Sequence, residues 1–313
     1  MLLTTRSART HRKFRKPSDD PSQTKEGEKA LPPMDRAMRI YISADMEGVA
    51  GITAEEQTNP VGQPEYAYSC KLMTGEVRAA CEGAKEAGAT SILVNDSHWS
   101  MRNIIHEELP PDVRLIRGSG KPLSMNQGID ATFDAAAYIG YHASGGTQDA
   151  VLDHTYTDAT LYEVKINGEA CSEARINAAV AGCYDVPVVF LSGDQNACAD
   201  ARSFMPWIET AEVKSAIGRF AAMSLSPEES RAKIRAGIAS AIRNRKHSGA
   251  KPYVFARPTT LEITFTYTSK ADIASLLPGS ERISARTLRF KNDDFLTVFR
   301  AFRAMMTLGA STP

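Results

Sequence analysis

In IYISADMEGVAG (residues 40–51) an apolar run rich in β-branched residues ends on two carboxylates, Asp45 and Glu47, with Gly48 directly behind them. The run from Arg39 to Ala44 reads as a short buried strand. Residues two apart on an extended chain project to the same side, so the two acids act together. A buried strand that ends on paired negative charge either turns into solvent or meets a cation. The second reading needs partners from elsewhere in the chain.

Outward from this stretch the period of hydrophobicity switches repeatedly. Residues 72–89 have helical spacing, with Leu72, Val77, Ala80, Cys81, Ala84 and Ala87 on one broad face. Strand-like runs follow at 91–95, 134–141 and 186–191, and a helix stopped by glycine is expected over 171–182. Strands separated by helix-length segments predict an α/β fold, a mostly parallel sheet flanked by helices. Such sheets bind ligands beyond the carboxyl ends of their strands. The residues just past these ends are Asp45 and Glu47, then His98, His142 and Asp194.

From Pro206 the texture changes. Two helical blocks are expected, split near Pro227. Alternation at 261–268 and the run 284–290 then read as strands, and 293–308 as an amphipathic helix presenting Phe295, Val298, Phe299, Phe302 and Met306. Residues 206–313 are therefore read as a smaller C-terminal α+β domain, suited to oligomerisation, behind a catalytic α/β domain at 38–205. Residues 1–37 are basic, then polar and proline-rich, and read as a disordered tail, a transit segment or a start assigned upstream of Met38.

With 37 basic and 37 acidic side chains, no global field favours nucleic acid or an anionic membrane. No apolar run approaches the ~20 residues of a membrane span. Five cysteines without a C-x-x-C pair point to buried or partly buried free thiols in a reducing, cytoplasmic setting. The first strand is not followed by G-x-G-x-x-G, and no G-x-S-x-G elbow occurs, which argues against dinucleotide binding and a serine hydrolase.

Six histidines are present, and two stand at the ends of expected strands. With His154 and Glu173 they complete a set of Asp45, Glu47, His98, His142, His154 and Glu173. Zinc takes imidazole nitrogen and carboxylate oxygen. Five ligands serve two ions if Asp45 bridges, giving Asp45, Glu47 and His98 to one and Asp45, His142 and Glu173 to the other. A bridging hydroxide would balance the charge, its pKa drawn from ~15.7 towards ~7. His154 is then free to assist the oxyanion or the leaving amine. Asp96 and Asp194 are read as orienting or capping groups, and His106 and His247 as solvated.

The segments SADMEG (43–48), VNDSH (94–98), GYHA (140–143), DHTYT (153–157) and SEARINAAVAG (172–182) resemble the zinc-dependent D-aminopeptidases, the DppA-type peptidases. The similarity continues through VPVVFLSGD (186–194), VKSAIGRFAA (213–222) and LPGSER (277–282). It implies two zinc ions on the five ligands above, with His154 matching the catalytic histidine. It also implies release of N-terminal D-amino acids such as D-alanine from short peptides, and a ring-shaped homo-oligomer, a decamer. Asp149 and Asp153 depart from the expected pattern and bear on substrate choice, Asp153 standing near the metals or a substrate ammonium. An amidase or esterase with another substrate, and a non-catalytic metal or small-molecule binding protein, are the alternatives.

Overall fold

The computed structural model describes residues 37–312. In chain order these form β1 (Arg39–Ala44), α1 (Glu55–Thr58), α2 (Tyr66–Glu86), β2 (Ser91–Asp96), β3 (Val113–Ile116) and β4 (Ala135–Tyr141). There follow β5 (Leu161–Ile166), β6 (Glu169–Ala170), α3 (Glu173–Gly182), β7 (Val188–Asp194) and α4 (Gln195–Phe204). The remainder comprises β8 (Glu209–Gly218), β9 (Ala221–Ser224), α5 (Pro227–Asn244), β10 (Thr259–Phe265), α6 (Thr268–Ala274), β11 (Glu281–Arg282), β12 (Thr287–Asn292) and α7 (Phe295–Ala310).

Seven strands pair in the order β3-β2-β1-β4-β7-β8-β9, every neighbour parallel except the β8–β9 hairpin. Parallel neighbours need crossovers, which α2, α3 and α4 supply. Ile40, Ile42 and Ala44 of β1 pack on one face with Val77 and Cys81 of α2 and Ile234 and Ile238 of α5. Tyr41 points the other way, into a cluster with Ala174 and Ala178 of α3 and Ala197 and Ala201 of α4. Burial on both faces is why these strands read as continuous apolar runs. A second, antiparallel sheet has the order β11-β12-β10-β5-β6. Its Leu261, Ile263 and Phe265 alternate inward onto Phe295, Phe299 and Phe302 of α7.

Three expectations are corrected. The helical block before Pro227 is the hairpin β8–β9. Ala211 and Val213, two apart, are both buried in the core, and pairing with β7 outweighs local helical spacing. The boundary at 205/206 does not follow the sheets. β8, β9 and α5 complete the first layer system, whereas β5 and β6, well before residue 205, belong to the second sheet. Cys183 is exposed, while the other four cysteines are buried free thiols. The expected tail, residues 1–36 of it, lies outside the described residues. Among the described residues no helix is long and apolar enough to cross a membrane.

Candidate metal centre

The carboxyl ends of β1, β2 and β4 converge, and the loop after β1 is laid along the end of β4. Asp45 donates its amide to Ile139 O and Gly48 donates to Gly140 O, each at 2.8 Å. A Cβ on Gly48 would overlap the Tyr141 carbonyl oxygen, and one on Gly140, at φ +71°, would overlap that of Asp45. Close approach of two backbones, more than a turn, is what Gly48 provides. From β8 the buried Lys214 donates to the carbonyls of Glu47, Val49 (3.0 Å) and Ile52 (2.6 Å), tying the loop down from below.

All six side chains singled out in the sequence come together here. Asp45, Glu47, His98, His142 and Glu173 are buried, at 2–6% exposure, and His154 is half-buried. His98 Nδ1 lies 2.9 Å from Glu47 Oε2 and 3.2 Å from Asp45 Oδ1. His142 Nε2 lies 3.6 Å from Asp45 Oδ2 and 3.5 Å from Glu173 Oε1. The two oxygens of Asp45 thus face different histidines. His154 Nε2 lies 3.7 Å from Glu173 Oε1, and its ring stacks on His142 at 4.1 Å between centroids. Glu173 opens α3 behind the cap Ser172 and accepts the amide of Tyr156 at 2.6 Å.

The far ring nitrogens carry a common pattern. His98 Nε2 donates to Thr58 O (2.9 Å), His142 Nδ1 to Ala143 O (2.9 Å) and His154 Nδ1 to Leu152 O (2.8 Å). A carbonyl can only accept, so each imidazole has one N–H fixed and turns its other nitrogen towards the carboxylates. Metal-binding histidines are oriented in this way. His142 Nε2 is buried and has no hydrogen-bond partner, which a cation would remedy. Donor atoms of Asp45, Glu47 and His142 lie within 4.8 Å of one another, as do those of His142, His154 and Glu173.

The charge states express the same crowding. Burial, with Glu47 beside it, pushes the Asp45 carboxyl up to about 7. Burial opposes charge on Glu47 and Glu173 too, yet His98 and His142 respectively hold both below the usual carboxylate range. His98 and His142 move oppositely. Burial disfavours their protonation, but the acids outweigh it, and His142 rises to about 10. Three buried carboxylates demand positive charge, and the residues present fit divalent zinc.

Sequence reasoning did not find Thr58, Ala143, Leu152 or Tyr156, because they act through the backbone and their side chains leave no signature. Asp96 spends its carboxylate on the amides of Asn103 (2.6 Å) and Ile104 (2.9 Å), and Asp194 caps α4. His106 and His247 are exposed. Asp153 is ion-paired with Arg219 at 2.7 Å and accepts the Gly146 amide at 2.6 Å, so its charge is already matched. The cluster opens on a cavity of about 380 Å³ that Asp45, Glu47, His98, His154 and Glu173 help to line.

The Peptidase M55 family model, described as D-aminopeptidase, matches residues 38–304. The D-aminopeptidase of Bacillus subtilis (strain 168) is 35% identical over 276 residues, covering 88% of this chain and 99% of the relative. The solved structure of Zn-dependent D-aminopeptidase DppA from Bacillus subtilis, described as a self-compartmentalizing protease, superposes with a TM-score of 0.83 at 35% identity. It covers 88% of this chain and 99% of that one.

Proposed function

The chain belongs to the D-aminopeptidase family of metal-dependent hydrolases, and from that premise we propose that it binds two zinc ions and releases N-terminal D-amino acids, D-alanine among them, from short peptides. The observation that carries the reading is the orientation of three imidazoles, each fixed at one nitrogen by a backbone carbonyl and facing three buried carboxylates with the other. Asp45, Glu47 and His98 would hold one ion, and Asp45, His142 and Glu173 the other, Asp45 being the residue whose oxygens face both sides. Zinc at such a site supplies Lewis acidity for the scissile carbonyl and lowers the pKa of water towards ~7.

The protein's own groups then do the positioning. His154, more exposed than His142, lines the substrate cavity and stands outside both ligand sets. Its Nδ1 proton is held by Leu152, so Nε2 is the atom that carries a proton to the leaving amine as the C–N bond breaks. A closed, ring-shaped homo-oligomer, as the family resemblance implies, and a cytoplasmic setting belong to the same reading. The exposed Ile217, Phe220 and Met223 of the β8–β9 hairpin suit contacts between copies.

Glu47→Ala and His98→Ala are expected to lose bound zinc and activity together. His154→Ala should keep its zinc and lose turnover by about 10²–10⁴-fold. Metal analysis beside assays on D-Ala-D-Ala, L-Ala-L-Ala and simple esters checks both points. Full activity in chelator-treated, metal-free protein would sink the mechanism, and hydrolysis confined to esters would replace the peptidase reading.

A further inference from the structure

The cavity that receives the metal cluster also contains positive charge that the proposed chemistry does not use. Lys121, in the loop after β3, is buried to 9% exposure, and Arg303 comes from the penultimate turn of α7. Both line the cavity. Lys121 Nζ donates to Asn95 Oδ1 and Asp96 O, both at 2.6 Å and both neutral, and among the described residues it forms no ion pair. The Arg303 guanidinium lies 5.7 Å from the centre of the Tyr156 ring. Among the described residues it has no carboxylate partner and donates no hydrogen bond. Ser124 lines the same cavity at φ +48°, and its buried hydroxyl has no partner.

Lys121 and Arg303 share this cavity, and among the described residues neither forms an ion pair with a carboxylate, a cost that a bound anion would offset. Burial draws the Lys121 ammonium down to about 8, with Asp96 opposing this and Arg303 adding to it. We propose that Lys121 and Arg303 form the subsite for the C-terminal carboxylate of the substrate, so that short peptides with a free carboxyl terminus are preferred over C-terminally blocked ones. The proposal rests on the aminopeptidase reading and adds to it the end of the substrate that the metal cluster does not hold. A guanidinium paired with a carboxylate gives directed, charge-assisted hydrogen bonds, and the buried ammonium adds a point charge.

The test compares D-Ala-D-Ala with D-alanyl-D-alaninamide on the zinc-loaded enzyme. Wild type should favour the free acid by about 10- to 100-fold in kcat/KM, mostly through KM. Arg303→Met and Lys121→Met should each lose most of that factor on the acid and stay within about threefold on the amide. Arg303→Lys should restore part of it. Among the described residues the Arg303 guanidinium donates no hydrogen bond, so its variants report on the subsite even where loss of Lys121 disturbs folding. A second arm measures binding of the same two ligands by calorimetry to zinc-loaded His154→Ala, with and without Arg303→Met. Tighter binding of the acid that vanishes with Arg303 supports the subsite. Equal binding of acid and amide, or equal losses on both substrates, overturns it. Absence of all D-peptide hydrolysis by wild type would refute the aminopeptidase reading alone, because the binding arm still decides the carboxylate subsite.

Discussion

Gly48 illustrates what a single residue can and cannot announce. Beside Asp45 and Glu47 it suggests a turn, yet its requirement comes from β4, some ninety residues on, whose Tyr141 carbonyl occupies the place of a side chain. Gly48→Ala is therefore expected to destabilise by about 2–4 kcal/mol and to lower the zinc content, since the loop carries two of the carboxylates. Gly218→Ala, with nothing near its missing Cβ, should stay within about 0.5 kcal/mol. Urea denaturation of the two variants beside wild type makes the comparison, and equal effects would refute the steric argument. The same division governs the metal centre. Asp45, Glu47, His98 and His142 were legible because hydrophobic periodicity located strand ends and chemistry stood just past them. The carbonyls of Thr58, Ala143 and Leu152, which fix the imidazoles, were not, since every residue owns a carbonyl and only the fold selects these three.

At the scale of elements, α2 and α5 pack together over one face of the parallel sheet, and the contact includes a buried acid. Glu76 of α2 accepts from Ala50 N and Ser230 Oγ, each at 3.0 Å, while its second oxygen has no partner. Burial pushes its carboxyl up to about 7 despite these bonds and the distant Lys214 and Arg231. The folded state thus binds this proton more tightly than the unfolded state, whose value is near the ordinary ~4.3. The stabilisation it gives is complete below that value and is lost as pH rises through about 7. Glu76→Gln keeps a neutral group there at every pH. Wild type should lose up to roughly 3 kcal/mol relative to the variant between pH 4.5 and 8, read as urea midpoints across that range. A constant difference would show that Glu76 is ionised in the fold throughout. The helices themselves were readable from spacing and, for α5, from the capping pair Ser226 and Glu229 with Pro227 at its start. The hairpin β8–β9 was not, because its side-chain pattern suits a helix until β7 lies alongside.

Across the whole molecule the two sheets share one task. Asp45, Glu47 and His98 reach the cavity from strand ends of the parallel sheet, whereas Arg303 and Met306 reach it from α7, packed on the antiparallel one. Residues 37–312 accordingly form one compact unit, and a division at 205/206 separates residues that line the same cavity. The sequence could not disclose this, because the texture change near Pro206 is local and the crossing of β5 and β6 into the second sheet is a long-range pairing. One consequence is that metal should stabilise the entire unit, beyond the loop after β1. Three buried carboxylates offset by His98 and His142 alone still repel one another, and an ion bound only by the folded chain contributes about 2.7 kcal/mol at 100 times its Kd. For a chain of this size each kcal/mol shifts Tm by roughly 2–4 °C, so chelation should lower Tm by about 5–10 °C in a single transition and zinc should restore it. Glu47→Ala, lacking one carboxylate of the cluster, should melt at nearly the same temperature with and without chelator. Scanning calorimetry of both proteins decides the matter: a wild-type transition unmoved by chelation, or one split into two with only the first responding, would mean that the metal centre and the antiparallel sheet do not fold as one.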